Sequence, residues 1–414
     1  MTKTVSIRMA NVLALAVLGT HPFAAGAVPP GTPAPSDPVF TALLTDGTNV
    51  SGRIRQFGPS GEVALLPSEG PERVITLKSL VKLTRDSSTS LFSPEGSLIL
   101  LPEGDRLYRT VLGAATETML EVQSYSLGNV AIPLESLLGL VLTRPADPGE
   151  FDALLWRVRT EPRTSEVVWL ANGDRLTGGF LGLTDKQVKF QAANGQIALD
   201  RPGIVALGFD PGLAIYPKPE GDFLELTMAD GSRLGVTNPR IEQGQVVAST
   251  RFGATIRLAL GELVRVNART ASVSYLSDRE ATASQYVGYV GPTRPYRRDT
   301  TVDGHPLRLA GQTYDRGLGC QSRTLLAYRL APDDRRFQAL VGLDDGAGPL
   351  GSVVFRVLID GRERYASPPM SVRDVPQFID IDVAGAKSLI LATEFGERGE
   401  VRDHADWVEA RLIR

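Results

Sequence analysis

Ala171-Asn172-Gly173-Asp174-Arg175-Leu176-Thr177-Gly178-Gly179-Phe180 is the stretch from which the fold is read. Asn-Gly between two apolar runs is a strong hairpin signal, because a type I′ turn needs positive φ at both central residues. The device recurs at Thr45-Asp46-Gly47-Thr48 and Ala229-Asp230-Gly231-Ser232, and more weakly, with glutamate before the glycine, at Pro102-Glu103-Gly104-Asp105. A second strand follows each turn (Val50–Ile54, Arg106–Val111, Arg175–Phe180, Arg233–Val236), then a middle strand (Val63–Leu66, Met119–Val122, Val188–Phe190, Val246–Ala248). An alternating strand comes next and ends on Leu77, Leu134, Leu199 or Leu258, which lie 30, 30, 26 and 27 residues beyond the turn glycine. A short apolar segment closes each unit. Five short strands at this spacing predict four SH3-like or Sm-like β-meanders, packed on one another to bury a shared face.

Around this core the chain divides into segments. Residues 1–27 read as an export signal: Lys3 and Arg8 precede the apolar run Met9–Leu18, and Ala25-Gly26-Ala27 fits the small-residue cleavage rule. The run is short for a membrane span, so no span is expected after cleavage. Residues 28–38 are a Pro-rich linker, 39–143 hold the first two meanders and 166–270 the other two. Between them, residues 144–165 break the pattern. Phe151, Leu154, Leu155 and Val158 recur at helical spacing behind Asp147-Pro148-Gly149, which predicts a short amphipathic connector helix. Residues 271–414 change to longer strands and loops.

Composition narrows the function. Lys and Arg number 44 against 47 Asp and Glu, without a basic stripe, so a nucleic-acid partner is not expected. Cys320 is the only cysteine, so stability must come from core burial rather than an internal disulfide. After loss of His21, only His305 and His404 could serve a Ser-His-Asp triad, and neither has a Gly-x-Ser-x-Gly elbow beside it. HExxH, CxxC and the P-loop are absent. A glycosidase needs only two carboxylates and is the residual enzyme class, but short meanders do not build a deep sugar cleft. The expectation is a non-enzyme with no catalytic residue.

The last third of the chain carries a family resemblance. Tyr275-Leu276-Ser277-Asp278, Gly311–Gly319, Gly317-Leu318-Gly319-Cys320-Gln321-Ser322, Arg336–Asp345, Gly351–Val357 and His404-Ala405-Asp406-Trp407 follow one another in an order that resembles the NPCBM (NEW2) carbohydrate-binding module family. The resemblance implies a galactose-binding-like β-sandwich (jelly roll), so the whole chain is expected to be all-β. It implies a glycan partner, met through rim loops that offer polar groups and an apolar platform. Platform candidates are Tyr286, Tyr289 and Tyr296; polar candidates are Asp315, Arg316, Gln321, Asp345 and His404. Such sandwiches often hold a structural Ca²⁺, for which Asp278, Asp406 and Glu409 are the candidate ligands. Trp407 reads as a last-strand core anchor. One departure stands out: the family's His before this serine is Gln321 here, whose amide still donates and accepts. The expected protein is an exported glycan binder. The alternative is an envelope assembly protein whose sandwich meets a protein partner.

Overall fold

The computed structural model describes residues 38–86, 95–116, 118–288, 294–397 and 399–414. The expected signal peptide, most of the linker and Tyr289 lie outside them.

The Asx-Gly turns form hairpins, but not of the expected kind. Gly47 has φ of 86°, Gly173 of 91° and Gly231 of 88°, while the Asx before each is not at positive φ. The Leu44 carbonyl accepts from Gly47 N–H (3.0 Å), and Leu44 N–H donates to the Thr48 carbonyl (2.9 Å). This is a three-residue loop, a type I turn closed by a left-handed glycine. Leu170 with Gly173 and Asp174, and Met228 with Gly231 and Ser232, repeat the two bonds. Asp46, Asn172 and Asp230 accept from the amide two residues on, at 2.8, 3.0 and 2.8 Å. The Asx side chain therefore stabilises the turn from within, and only the glycine needs positive φ.

Each group of five strands curls until its first strand pairs with its last. Val39–Leu44 pairs with Leu80–Arg85, Ser97–Leu100 with Gly139–Val141, Glu166–Leu170 with Ile204–Gly208, and Phe223–Met228 with Leu263–Arg269. The closing strands then pair between groups: Gly139–Val141 with Ala206–Gly208, and Lys82–Thr84 with Arg265–Asn267. The second group thus joins the third, and the fourth returns to the first. One apolar core runs through all four groups, with Phe40, Leu83, Ile99, Leu140, Phe190, Leu207, Leu226 and Val266 fully or almost fully buried.

The helix Pro148–Thr160 covers the junction of the second and third groups. Asp147 caps it by accepting from Glu150 N–H at 2.8 Å. Its buried face (Phe151, Leu154, Leu155, Val158) packs on Leu98, Val141, Val167 and Trp169. Val158 lies so close to Gly139 that a Cβ there would collide with its methyl.

The C-terminal third is a two-layer β-sandwich. Ala405–Ile413 is central to a six-stranded sheet, paired on one side with Gly317–Cys320 and on the other with Arg336–Leu343. The facing sheet has five strands, in the order Ala283–Tyr286, Thr324–Arg329, Ser388–Phe395, Val353–Ile359 and Arg362–Ala366. Trp407 is fully buried between the sheets, edge-on to Phe355 at 5.2 Å, with Nε1 donating to Thr393 Oγ1 at 3.0 Å. Cys320 is buried and burial pushes its thiol pKa up, so it packs as an apolar side chain.

A β-bulge determines how the sandwich meets the meanders. Register shifts between Gln338 and Leu340 opposite Ala405–Ile413, and Glu409 there has φ of 51°. Ala405 and Trp407 face the sandwich core before the bulge, and Ala410 and Leu412 face it after. Glu409 and Arg411 are thereby turned outward, toward the closing strands of the first and fourth groups. Lys82 Nζ donates to Glu409 Oε2 at 2.6 Å, Arg265 lies 3.6 Å from Oε1, and Arg411 lies 3.2 Å from Oε2. Val81, Val273, Tyr275 and Ile413 form the apolar part of the contact. No helix of the described residues is long and apolar enough to cross a membrane.

Candidate functional site

A concavity of about 370 Å³ opens on the sandwich rim, lined by Tyr286, Arg294, Asp303, Gln321, Glu400, Arg402 and His404. That volume is within the small-molecule range of about 300–1,000 Å³. Its residues come from the ends of strands and the loops beside them. Tyr286 ends Ala283–Tyr286, Gln321 follows Gly317–Cys320, and His404 precedes Ala405–Ile413. Rigid sheet therefore positions the side chains, while loops supply Arg294, Asp303, Glu400 and Arg402.

Gln321 is 5 % exposed, and its Nε2 donates to the Glu400 carbonyl at 2.9 Å. That bond orients the amide. It leaves Oε1 buried without a donor among the described residues. An unsatisfied buried acceptor costs on the order of 1–3 kcal/mol unless a ligand supplies the donor.

His404 Nδ1 lies 3.3 Å from Asp303 Oδ2. Burial lowers its pKa below the ordinary 6.5, against the opposing pull of Asp303. The ring is therefore neutral at pH 7, with Nδ1–H directed to Asp303 and Nε2 left as an acceptor. Arg294 Nη1 holds the other Asp303 oxygen at 3.2 Å. Tyr286 supplies an aromatic wall, and burial followed by the charge of Glu400 raises its phenol pKa. The concavity thus offers an aromatic face, a buried amide oxygen, an imidazole nitrogen and a held carboxylate. This set suits a small polyhydroxylated ring with one apolar face.

Of the residues expected from sequence, Tyr286, Gln321 and His404 come together here. Tyr289 lies outside the described residues. The others are elsewhere. Tyr296 is partly buried against the sandwich core, so it packs rather than offering a free platform. Asp345 accepts from Gly311 N–H at 2.8 Å and ties down a neighbouring hairpin. Asp315 faces the meanders, where Arg106 binds it and Arg233 lies 3.6 Å away. Arg316 pairs with Asp278 and lies 3.5 Å from Asp299. Sequence reasoning missed Arg294, Asp303, Glu400 and Arg402. Their only signal was a charge in a Gly-containing loop, shared by many residues of this chain.

The calcium candidates do not fit a calcium site. Asp278 is bound by Arg269 and Arg316, and Glu409 by Lys82 and Arg411. Asp406 is fully buried, next to the carboxylate of Asp344. Burial, then the neighbouring Asp344, pushes its pKa well above the ordinary 3.8. Asp344 accepts from the amides of Arg308 (2.9 Å) and Gly346 (2.8 Å), and these bonds oppose the burial that raises its own pKa. Calcium takes six to eight oxygens, and among the described residues no three metal-ligating side chains converge.

Comparison with known proteins places the sandwich among known domains. Residues 272–413 match the NPCBM/NEW2 domain family. This chain is 31 % identical over 142 residues to a protein of Renibacterium salmoninarum named as an endo-α-N-acetylgalactosaminidase, covering 34 % of this chain and 9 % of that protein. It is 28 % identical over 117 residues to α-1,3-galactosidase B of Akkermansia muciniphila, covering 27 % and 15 %. The chain therefore spans a small part of the length of these relatives. Among solved structures, the CBM51 of a Clostridium perfringens GH95 protein in complex with methyl-galactose is 24 % identical (TM-score 0.31; 34 % of this chain, 99 % of that one). CBM51-2 with INT domains of C. perfringens ZmpB, in complex with GlcNAc, is 20 % identical (TM-score 0.32; 46 % and 43 %).

Proposed function

We propose that this protein is an exported, non-catalytic glycan receptor that takes a terminal galactose-type sugar into the concavity at Gln321. The observation that carries the reading is Gln321, which lines a ligand-sized concavity and whose buried Oε1 has no donor among the described residues. A sugar hydroxyl donates to it, a second hydroxyl donates to His404 Nε2, and the apolar face of the ring lies against Tyr286. The NPCBM/NEW2 match supports the glycan, and the two relatives named for galactosides support the sugar type. The carboxylates lining the concavity, Asp303 and Glu400, serve as hydrogen-bonding groups rather than as an acid and base pair. Met1–Ala27 directs export, on the strength of its Lys3/Arg8 start and the Ala25-Gly26-Ala27 end.

Calorimetric titration of the full chain with galactose, N-acetylgalactosamine and glucose tests this. Saturable binding of the galactose-type sugars is expected, weakened about tenfold in Gln321→Ala, as loss of one buried hydrogen bond predicts. That variant also loses the Nε2 bond to the Glu400 carbonyl, so its binding is read well below its melting temperature. Absence of binding to all three sugars, or unchanged binding by Gln321→Ala, would refute the proposal.

A further inference from the structure

A second, larger cleft of about 600 Å³ lies where the helix Pro148–Thr160, the second and fourth strand groups and the sandwich meet. Seven cationic side chains and five carboxylates line it. All five carboxylates are already paired: Glu103 with Arg251, Asp152 with Arg308, Asp278 and Asp299 with Arg316, and Asp315 with Arg106. The cations are not all matched. Arg159, Lys218 and Arg298 line the cleft and form no ion pair among the described residues.

Arg159 is the least compensated. It sits in the last turn of the helix, mostly enclosed, beside Arg106 and Arg233, which already share Asp315. Burial, then the like charge of Arg106, lowers its pKa, and the opposing charge is Asp315, which it shares with Arg106 and Arg233. A mostly buried charge without a counter-charge of its own is costly, and an anionic ligand removes that cost. One helical turn away, Trp156 also lines the cleft and is 36 % exposed, with the Arg297 guanidinium 5.1 Å from its ring centre. An indole beside an unpaired guanidinium matches a ring that carries an acidic group.

We propose that this cleft is a second binding site, for a saccharide bearing a carboxylate or sulfate: the anionic group pairs with Arg159, and the sugar ring rests against Trp156. Lys218 and Arg298 strengthen the field at the entrance. The site is separate from the Gln321 concavity and takes a ligand of the opposite character, charged where that one is neutral.

The test titrates the full chain, its Gln321 concavity kept filled by saturating galactose, with galacturonate, a sulfated galactose and inorganic sulfate at low and moderate salt. Expected are saturable binding of the acidic sugars that weakens with salt, at least a tenfold loss in Arg159→Met, a smaller loss in Lys218→Met, and no change in Gln321→Ala. The last variant separates this site from the first, so either proposal can fail alone. Binding of the acidic sugars undiminished in both Arg159→Met and Lys218→Met, or their loss in Gln321→Ala, would overturn the assignment. Sulfate binding as tightly as galacturonate would overturn the saccharide and leave an anion site alone. Arg159→Met should melt no lower than the parent, since it removes an uncompensated cation.

Discussion

Glu409→Ala is expected to destabilise the protein by about 3–5 kcal/mol, the usual cost of removing one partner from a buried ion pair. The substitution leaves Lys82, Arg265 and Arg411 facing one another at the junction of meanders and sandwich with no carboxylate between them. Burial alone would raise the Glu409 pKa, but Lys82, Arg411 and Arg265 hold it well below the ordinary 4.5. Burial lowers the Lys82 pKa despite Glu409, so the pair is desolvated on both sides. The sign for pH follows. A depressed carboxylate pKa contributes stability that is present above about 4.5 and lost as pH falls through the folded value. Denaturant melts at pH 7 and pH 3 should therefore show a large gap between parent and variant at pH 7 and a smaller one at pH 3. A double change to Lys82→Met with Glu409→Leu should recover only the part of the loss that comes from Lys82, because Arg265 and Arg411 still lack the carboxylate. A loss below about 1 kcal/mol at pH 7 would mean that the pair behaves as a surface contact.

Sugar affinity should be steady from pH 8 down to the ordinary histidine value of 6.5 and fall only below it. His404 is the titrating group. Its lowered pKa keeps Nε2 an acceptor through the neutral range, and protonation turns that nitrogen into a donor facing a sugar hydroxyl. His404→Ala should weaken binding by about 1–3 kcal/mol, the cost of leaving a buried polar partner unmet, and should abolish the acid-side decline. Calorimetry across pH 5–8 checks both. A decline already complete at pH 7 would show that the attraction of Asp303 outweighs burial, and the proposed role of Nε2 would be lost.

Local chemistry was legible in the sequence, and long-range pairing was not. Asp46-Gly47 and Asp360-Gly361 are the same dipeptide in different turns. Only the second has positive φ at both residues, 48° and 75°, joining Ile359 directly to Arg362. The dipeptide marks a hairpin, and the strands it joins choose the loop length. Trp407 was readable as a core anchor because a large apolar residue among small ones in a last strand has nowhere else to go. Glu409, two residues on, was misread as a metal ligand. Alternation along the strand assigns it a face, and the bulge that reverses that face depends on Gln338–Leu340, some seventy residues earlier. Asp315 and Arg316 look like rim residues on the sandwich alone. Their partners Arg106, Arg233 and Glu225 belong to the second and fourth strand groups. Tyr286 stood out as one of three tyrosines in the Gly- and Pro-rich stretch 284–298, and Gln321 and His404 as parts of the family pattern. Asp303 and Arg294 were not, because a charged loop residue gains meaning only from what stands opposite it.

A crystal of the full chain soaked with galactose gives the most direct test of the central claim. The account predicts one pyranose in the rim concavity, with a hydroxyl within hydrogen-bonding distance of Gln321 Oε1, another at His404 Nε2, and the ring against Tyr286. Sugar bound elsewhere on the sandwich, or an empty concavity at saturating galactose, would contradict it.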